Sequence, residues 1–182
     1  MPRWTGCWAR NADALRYAVR QDAWVTSPGS GDHTAYRISH DPAELDLDRI
    51  HEWLSTMAYW SIGRPREVTE RAIAGSQVWA AFDAAGDHVG VARLVTDGAT
   101  FGWLCDVFVA ADHRGRGVGT ALVAAVLAHA DALGLKRVIL ATEDAHEVYI
   151  RQGFAALAHP TMWLQRGRPV DRPAVDPAPG LT

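Results

Sequence analysis

The stretch from Val107 to Thr120 constrains this chain more than any other. Val107-Phe108-Val109 has the apolar, β-branched character of a buried strand. Gly115, Gly117 and Gly119 follow, and a helical pattern with Leu122, Val126, Ala130 and Leu133 on one face begins at once. A helix entered this way leaves its first N–H groups without intrahelical acceptors and carries the positive end of its dipole there. Glycines let an anion approach those donors closely, so the pattern predicts a pyrophosphate cradle, with Arg114 and Arg116 adding cationic donors. Several phosphate ligands satisfy that description. A P-loop needs a lysine after its last glycine, and Val118-Gly119-Thr120 supplies none. A dinucleotide fingerprint needs glycine where Thr120 stands, although Glu143, after the next strand, is placed as a ribose-binding acid would be. A loop that starts at residue 114 leaves little chain for a doubly wound sheet.

The rest of the chain reads as elements that could surround such a loop. Tyr36-Arg37-Ile38 suits a short strand, and Asp46 to Met57 has the spacing of an amphipathic helix, with Leu47, Ile50, Leu54 and Met57 aligned. An irregular link, Tyr59 to Arg64, leads to a second helix that Pro65 opens and Gly75 closes, with Glu67 and Arg71 four apart. Strands are expected at Val78 to Phe82, His88 to Val95 and Thr100 to Val109, the last two joined by a tight Asp97-Gly98 hairpin turn with positive φ at both positions. After the long helix, which Gly134 ends, come a strand at Val138 to Ala141, a short helix at Ala145 to Gln152 capped by Gly153, and a last strand at Met162 to Leu164. Hairpins first and a β-loop-α-β unit second define the fold class: α/β, or α+β by some definitions, a single-domain mixed β-sheet flanked by helices.

Length and composition agree with one domain and narrow its partners. The 182 residues, 48% hydrophobic and 21% charged, are enough for one core and short for two. A formal net charge of −3 gives no electrostatic reason to expect nucleic acid. No apolar run approaches the roughly 20 residues that span a bilayer, so no membrane partner is expected. Cys7 and Cys105 lie far apart and in no metal-ligand spacing, which fits a reduced, cytoplasmic setting without a metal. Residues 1–33 carry Arg3, Arg10, Arg16 and Arg20 but are interrupted by Asp13, Asp22 and Asp32, a poor transit peptide. They are expected to form a loosely ordered extension that ends at Ser27-Pro28-Gly29-Ser30-Gly31. The working domain is expected at 34–165, and the proline-rich residues 166–182 as a disordered tail.

Two segments carry a resemblance. Arg114-x-x-Gly117-x-Gly119 resembles the R/Q-x-x-G-x-G/A loop of the GNAT acetyltransferase superfamily, preceded by a hydrophobic strand as in that family. Ala145-His146-Glu147-Val148-Tyr149-Ile150-Arg151-Gln152-Gly153-Phe154 is similar to its A-x-x-L-Y-x-x-x-G-F helix, in the right order and at the right distance. The resemblance covers about residues 36–165 and implies an acyl-CoA N-acyltransferase-like fold. It implies acetyl-CoA as co-substrate, with its pyrophosphate on the amides of Arg114, Gly115, Arg116, Gly117, Val118, Gly119 and Thr120. The pantetheine arm would bond the backbone of Val107, Phe108 and Val109. Thr142 stands where the family often has asparagine and would offer a hydroxyl to the pantetheine instead. Tyr149 matches the family's general acid, since a phenol of pKa about 10 can protonate a departing thiolate.

The acceptor side is read from fewer signals. An attacking amine must be neutral, so a base is wanted, and Asp106 is the first candidate, ahead of Asp144 and His146. Asp144 also sits where a helix N-cap belongs. Tyr59, Trp60 and Arg64 occupy the link where the family builds its acceptor pocket. The expected reaction is direct transfer of acetyl to the primary amine of a small molecule, or of a protein or peptide, by a monomer or homodimer. A non-catalytic acyl-CoA sensor and a nucleotide-binding module share the cradle and stay open.

Overall fold

The computed structural model describes residues 22–26 and 35–166. Six strands form one sheet in the order β1 to β6: β1 (Asp22–Thr26), β2 (Ala35–Ser39), β3 (Gln77–Phe82), β4 (His88–Thr96), β5 (Gly102–Val109) and β6 (Val138–Ile139). Neighbours from β1 to β5 run antiparallel, and β6 joins β5 in parallel. Four helices complete the fold, α1 (Leu47–Glu52), α2 (Arg66–Ala74), α3 (Val118–Ala132) and α4 (His146–Ile150).

Alternating side chains on the strands feed two cores, one on each face. Trp79, Ala92, Leu94 and Leu104 face α3, where Leu122, Val123 and Val126 are fully buried. Val78, Val91 and Phe108 face the other way, against Ile50, Trp53, Leu54 and Ile73 of the α1–α2 arm. β4 lies between the two layers and is buried along most of its length, which explains its unbroken run of valine, alanine and leucine. Α mixed sheet between helices is thus the observed architecture, as the hairpin-then-crossover order implies.

Local outcomes differ from the sequence reading in instructive ways. Residues 22–26 pair with β2 as the edge strand, so this part of the expected loose extension belongs to the sheet. The other residues of that extension, 1–21 and 27–33, and all of the expected tail but Arg166 lie outside the described residues. Only Gly98 of the Asp97-Gly98 pair has positive φ, and β5 starts later, at Gly102. The connection is a wider loop that the Asp97 carboxylate organises by accepting from the N–H groups of Ala99, Thr100 and Phe101. Met162 to Leu164 is not a strand; a short 3-10 turn, Pro160–Met162, stands there, because Pro160 suits the start of a turn and lacks a ladder donor. Pro65 is the cap of α2 and not its first residue, and Arg66, not Glu67, forms the i, i+4 pair, with Glu70.

Candidate active site

The site begins with a fault in β5. Leu104 packs in the α3 core and Phe108 in the opposite one, while Val107 and Val109 return to the α3 side. Residues 104 and 107 cannot share a face in a regular strand, whose period is 2. The pairing of Arg93 with Cys105 and of Val91 with Phe108 shows the reason: two residues of β5, Asp106 and Val107, oppose the single Ala92. This is a β-bulge, and Asp106 takes its strain with φ 50, the one positive φ outside glycine among the described residues. Aspartate tolerates the left-handed region better than most residues.

β6 pairs with β5 only at Gly102 and Trp103. The edge of β5 beyond Trp103 therefore has no strand partner among the described residues, and the sheet splits there. Ala110 N–H donates to Val89 O on β4, so the Val109 peptide groups, one residue back, face the open edge. Arg114 Nε donates to Val109 O at 2.9 Å, and its guanidinium lies 5.5 Å from the Phe108 ring centroid. Arg114 thereby ties the glycine loop to the end of β5.

The loop itself is shaped by backbone requirements. Gly115 has φ 74, and Gly117, the N-cap of α3, has φ 84. A Cβ at Gly115 would meet nothing within 4 Å, so the glycine there serves conformation and not space. Ala121 N–H to Gly117 O is the first bond of the α3 ladder, leaving the N–H groups of Val118, Gly119 and Thr120 ahead of it. No side chain caps this end and no acidic residue sits in its first turn. A pyrophosphate fits such a terminus, which has donors, a positive dipole end and no competing carboxylate. Val118 is 1% exposed and packs in the core, so only its backbone can serve a ligand, whereas Arg116 and Thr120 are exposed.

Across the split, α4 carries Tyr149. Gly153, at φ 90, turns the chain so that Phe154 N–H bonds Tyr149 O and the two rings meet edge to face at 5.8 Å. That contact is the physical content of the Tyr-x-x-x-Gly-Phe spacing. Burial, with smaller contributions from Tyr59 and Asp144, pushes the Tyr149 phenol up to about 12, so it holds its proton at any physiological pH. Thr142 Oγ1 accepts from Ala145 N–H at 3.2 Å and keeps its own O–H to donate. Asp144 is not the N-cap of α4; Ala145 is, without a side-chain bond.

Two of the three expected acceptor residues, Trp60 and Arg64, converge on Asp106. Arg64 binds it in bidentate fashion at 2.9 and 3.1 Å, Trp60 Nε1 donates to it at 3.1 Å, and Arg93 Nε donates at 2.9 Å. Trp60 and Arg64 are presented by the turns after α1, which continues as a π-helical segment, Trp53–Met57, in place of the regular helix expected to Met57. Tyr59, from the same link, accepts from Glu143 N–H at 3.2 Å and so reaches the loop between β6 and α4. Burial alone would raise the Asp106 carboxyl, but the bonds and charges of Arg64 and Arg93 outweigh it and hold it below the ordinary range. A carboxylate so fully engaged is a poor proton acceptor, which argues against the base role expected of Asp106. Arg93 escaped the sequence reading, although a lone arginine inside the apolar run Val89 to Val95 was a visible signal.

Cys105 is half-buried, and burial pushes its thiol up to about 11, which leaves it protonated and poor as a nucleophile. A cavity of about 340 Å³ lies elsewhere, on the α1 side of the loop, lined among others by Arg49, Trp53, His88 and His113. It contains neither Tyr149 nor Asp106.

A mixed sheet split at one edge, with a helix N-terminus that follows a glycine loop and has no side-chain cap at the split, defines the acyl-CoA N-acyltransferase-like class. The chain belongs to the GNAT acetyltransferase family: the profile described as "Acetyltransferase (GNAT) family" matches residues 47–154. A crystal structure from Xanthomonas campestris pv. campestris, described as a putative acetyltransferase of the gnat family, is 42% identical, with TM-score 0.69, covering 72% of this chain and 92% of that one. The Mycobacterium tuberculosis protein Rv2747, solved in complex with CoA and NLQ, is 26% identical with TM-score 0.55, covering 66% of this chain and 72% of that one. "Putative acetyltransferase FG08082" of Gibberella zeae is 30% identical over 113 residues, 52% of this chain. The match spans 64% of that relative's length. No described helix is long and apolar enough to cross a membrane.

Proposed function

We propose that the chain transfers acetyl from acetyl-CoA directly to the primary amine of a small molecule, without a covalent enzyme intermediate. The observation that carries this reading is the uncapped, acid-free N-terminus of α3 set beside the open edge of β5. When bound, acetyl-CoA supplies an activated acetyl thioester. The Arg114 N–H, expected in the cradle, is spent on Ala111 O, so the N–H groups from Gly115 to Thr120 hold its pyrophosphate, with the charges of Arg114 and Arg116 adding to the helix dipole. The open edge of β5 at Val107 to Val109 aligns the pantetheine by backbone bonds, which Thr142 Oγ1 supplements. An N–H of that edge stabilises negative charge on the carbonyl oxygen as the amine attacks. Tyr149 donates its proton as the C–S bond breaks and the C–N bond forms. With a pKa of about 12 it gives that proton up less readily than a free phenol. Its main contribution is then a hydrogen bond to the developing thiolate. The amine's own proton leaves to water, since Asp106 is committed to its arginines.

The aromatic link at Tyr59 and Trp60, with Arg64 behind it, faces the acceptor. The CoA-bound Mycobacterium tuberculosis structure supports the choice of donor. The reaction is expected to take place in the cytoplasm, with the chain as a monomer or homodimer. Calorimetry tests the donor: CoA and acetyl-CoA should bind far more tightly than ATP or NAD, and tighter binding of either nucleotide refutes the reading. CoA release with a panel of amines then separates an enzyme from a sensor.

A further inference from the structure

The Arg64–Asp106–Arg93 cluster is unbalanced. Two guanidiniums share one carboxylate, with side chains 18% and 13% exposed against 4% for Asp106. Arg64 uses its two terminal nitrogens on Asp106, and Arg93 uses Nε on Asp106 and one terminal nitrogen on Ser76 Oγ. A guanidinium has five N–H donors, so each arginine keeps donors beyond those that Asp106 and Ser76 engage. One surplus positive charge is therefore held in partial burial, where an unpaired charge is unfavourable. It sits beside Asp106, which directly precedes the Val107–Val109 edge, and below the half-exposed Trp60. The opposite wall has the other sign: Asp144 acts on the Tyr149 hydroxyl, and Tyr59 joins the two walls through Glu143 N–H.

We infer that Arg64, steadied by Asp106 and backed by Arg93, is a specificity residue that binds a carboxylate on the acceptor, so the amine acetylated is an amino acid. This rests on the proposed acetyl transfer and names its substrate class. A carboxylate carries the single charge that the cluster lacks, whereas a phosphomonoester brings nearly two. Arg64 spends its terminal fork on Asp106, so the carboxylate takes the donors that remain, Nε–H and the second N–H of a terminal nitrogen, which lie in the same guanidinium plane. The same surplus charge lowers the pKa of a nearby ammonium, because like charges disfavour the protonated form. More of the amine is then neutral and able to attack, which suits a site whose one buried carboxylate is not free to act as base.

The test uses the full chain and matched acceptors: the twenty standard amino acids, the decarboxylated amine of each and the corresponding carboxamides. CoA release gives kcat/KM, and calorimetry with CoA present gives affinity without turnover. The carboxylated member of the preferred pair should lead by roughly 10–100-fold, the worth of a charge-assisted hydrogen bond. Arg64→Gln should erase that lead mainly through KM, and Arg64→Lys should keep part of it. Comparing the pair in each variant cancels any general damage to the fold. Equal or better use of decarboxylated amines overturns the inference and leaves acetyl transfer standing, as does an Arg64→Gln loss that is the same for both members. Carboxylate binding that depends on Arg64, with no turnover of any acceptor, supports the inference and refutes acetyl transfer to these amines. Neither binding nor turnover of any amino acid overturns the inference, and CoA affinity measured alone then decides the donor reading.

Discussion

Replacing Asp106 by asparagine separates its two possible roles. Asparagine keeps the shape, tolerates the left-handed φ of 50 and can still accept from Trp60 and one Arg64 nitrogen at Oδ1. Its amide nitrogen replaces the oxygen that accepts from Arg64 and Arg93, so the charge and two acceptor bonds are lost together. Arg64 and Arg93 lose their shared anion. Breaking a buried pair by removing one partner costs about 3–5 kcal/mol. Both arginines keep some contact with water, at 18% and 13% exposure, which places the expected loss at the lower end, about 3 kcal/mol. At roughly 2–4 °C per kcal/mol for a chain of this size, Tm should fall by about 6–12 °C. Circular dichroism melts and urea midpoints measure this directly. The parent's acid limb should shrink too. A carboxyl held below its unfolded value contributes its full stability above a pH of about 4, and that stability is lost as pH falls through the lower folded value. Because Arg64 loses the anion that steadies it, KM for the acceptor should rise, but kcat of the folded variant at low temperature should stay within about tenfold of the parent, below the 10²–10⁴-fold effect of a lost general base. An unchanged Tm with a 100-fold or greater fall in kcat would refute this reasoning and restore Asp106 as the base.

Three further outcomes follow from the same geometry. Tyr149→Phe should lower kcat by about 10–100-fold, at or below the bottom of the 10²–10⁴-fold range for a positioned acid because its pKa is already about 12, and should leave CoA affinity nearly unchanged in calorimetry. Wild-type turnover in that variant would assign the proton to water. Gly117→Glu should abolish CoA binding and cost about 1–2 kcal/mol of stability, since φ 84 disfavours any side chain and a carboxylate would face the anion; a folded variant with normal CoA affinity would make the loop a mere turn. Burial lowers the pKa of His88 and His129, so both are neutral in the fold and the stability this confers is lost as pH falls below the unfolded value of about 6.5. Urea midpoints at pH 7.5 and 5.5 should differ accordingly, and a flat profile would mean these rings can charge in place.

What was legible in the sequence was whatever depends on local periodicity or on glycine. The Gly115 and Gly117 turns, α3 and the Gly153 turn under Tyr149 are all written within a few residues. Tyr59, Trp60 and Arg64 are grouped as acceptor residues only through the family resemblance, and the Asp106 that two of them bind is not part of that pattern. Pairing between distant segments was not legible. Nothing near Asp22–Thr26 announces that it will bond β2, because an edge strand needs only one partner and little apolar patterning. The bulge is equally silent: Cys105-Asp106-Val107 reads as regular alternation, and only the register against Arg93 and Val91 shows the inserted residue. Asp106 looked like a free acid for the same reason, since its two arginines lie 42 and 13 residues away in the chain.

The bulge also explains why the features proposed for donor and acceptor meet where they do. Without the inserted residue, Val107 would face the arm of α1 and α2 and Phe108 the α3 core, the reverse of what is seen. Reversing the phase at Asp106 lets β5 serve two masters in sequence: its first half pairs β6, and its second half turns Val109 toward the open edge and Arg114. The extra residue must project somewhere, and it projects a carboxylate that anchors Arg64 and Trp60 from the acceptor arm. One strained residue thus fixes the open strand edge and the arm that faces it. Its strain of about 1–3 kcal/mol is offset by four hydrogen bonds to a charged group, each worth about 1.5–3 kcal/mol before the cost of burying the carboxylate. Any substitution at 106 that cannot hold both the left-handed backbone and those bonds, Asp106→Val for instance, should therefore disturb acetyl-CoA and acceptor binding together. Calorimetry of each ligand on a variant that still folds checks this, and loss of one with the other intact would show the two halves of the site to be independent.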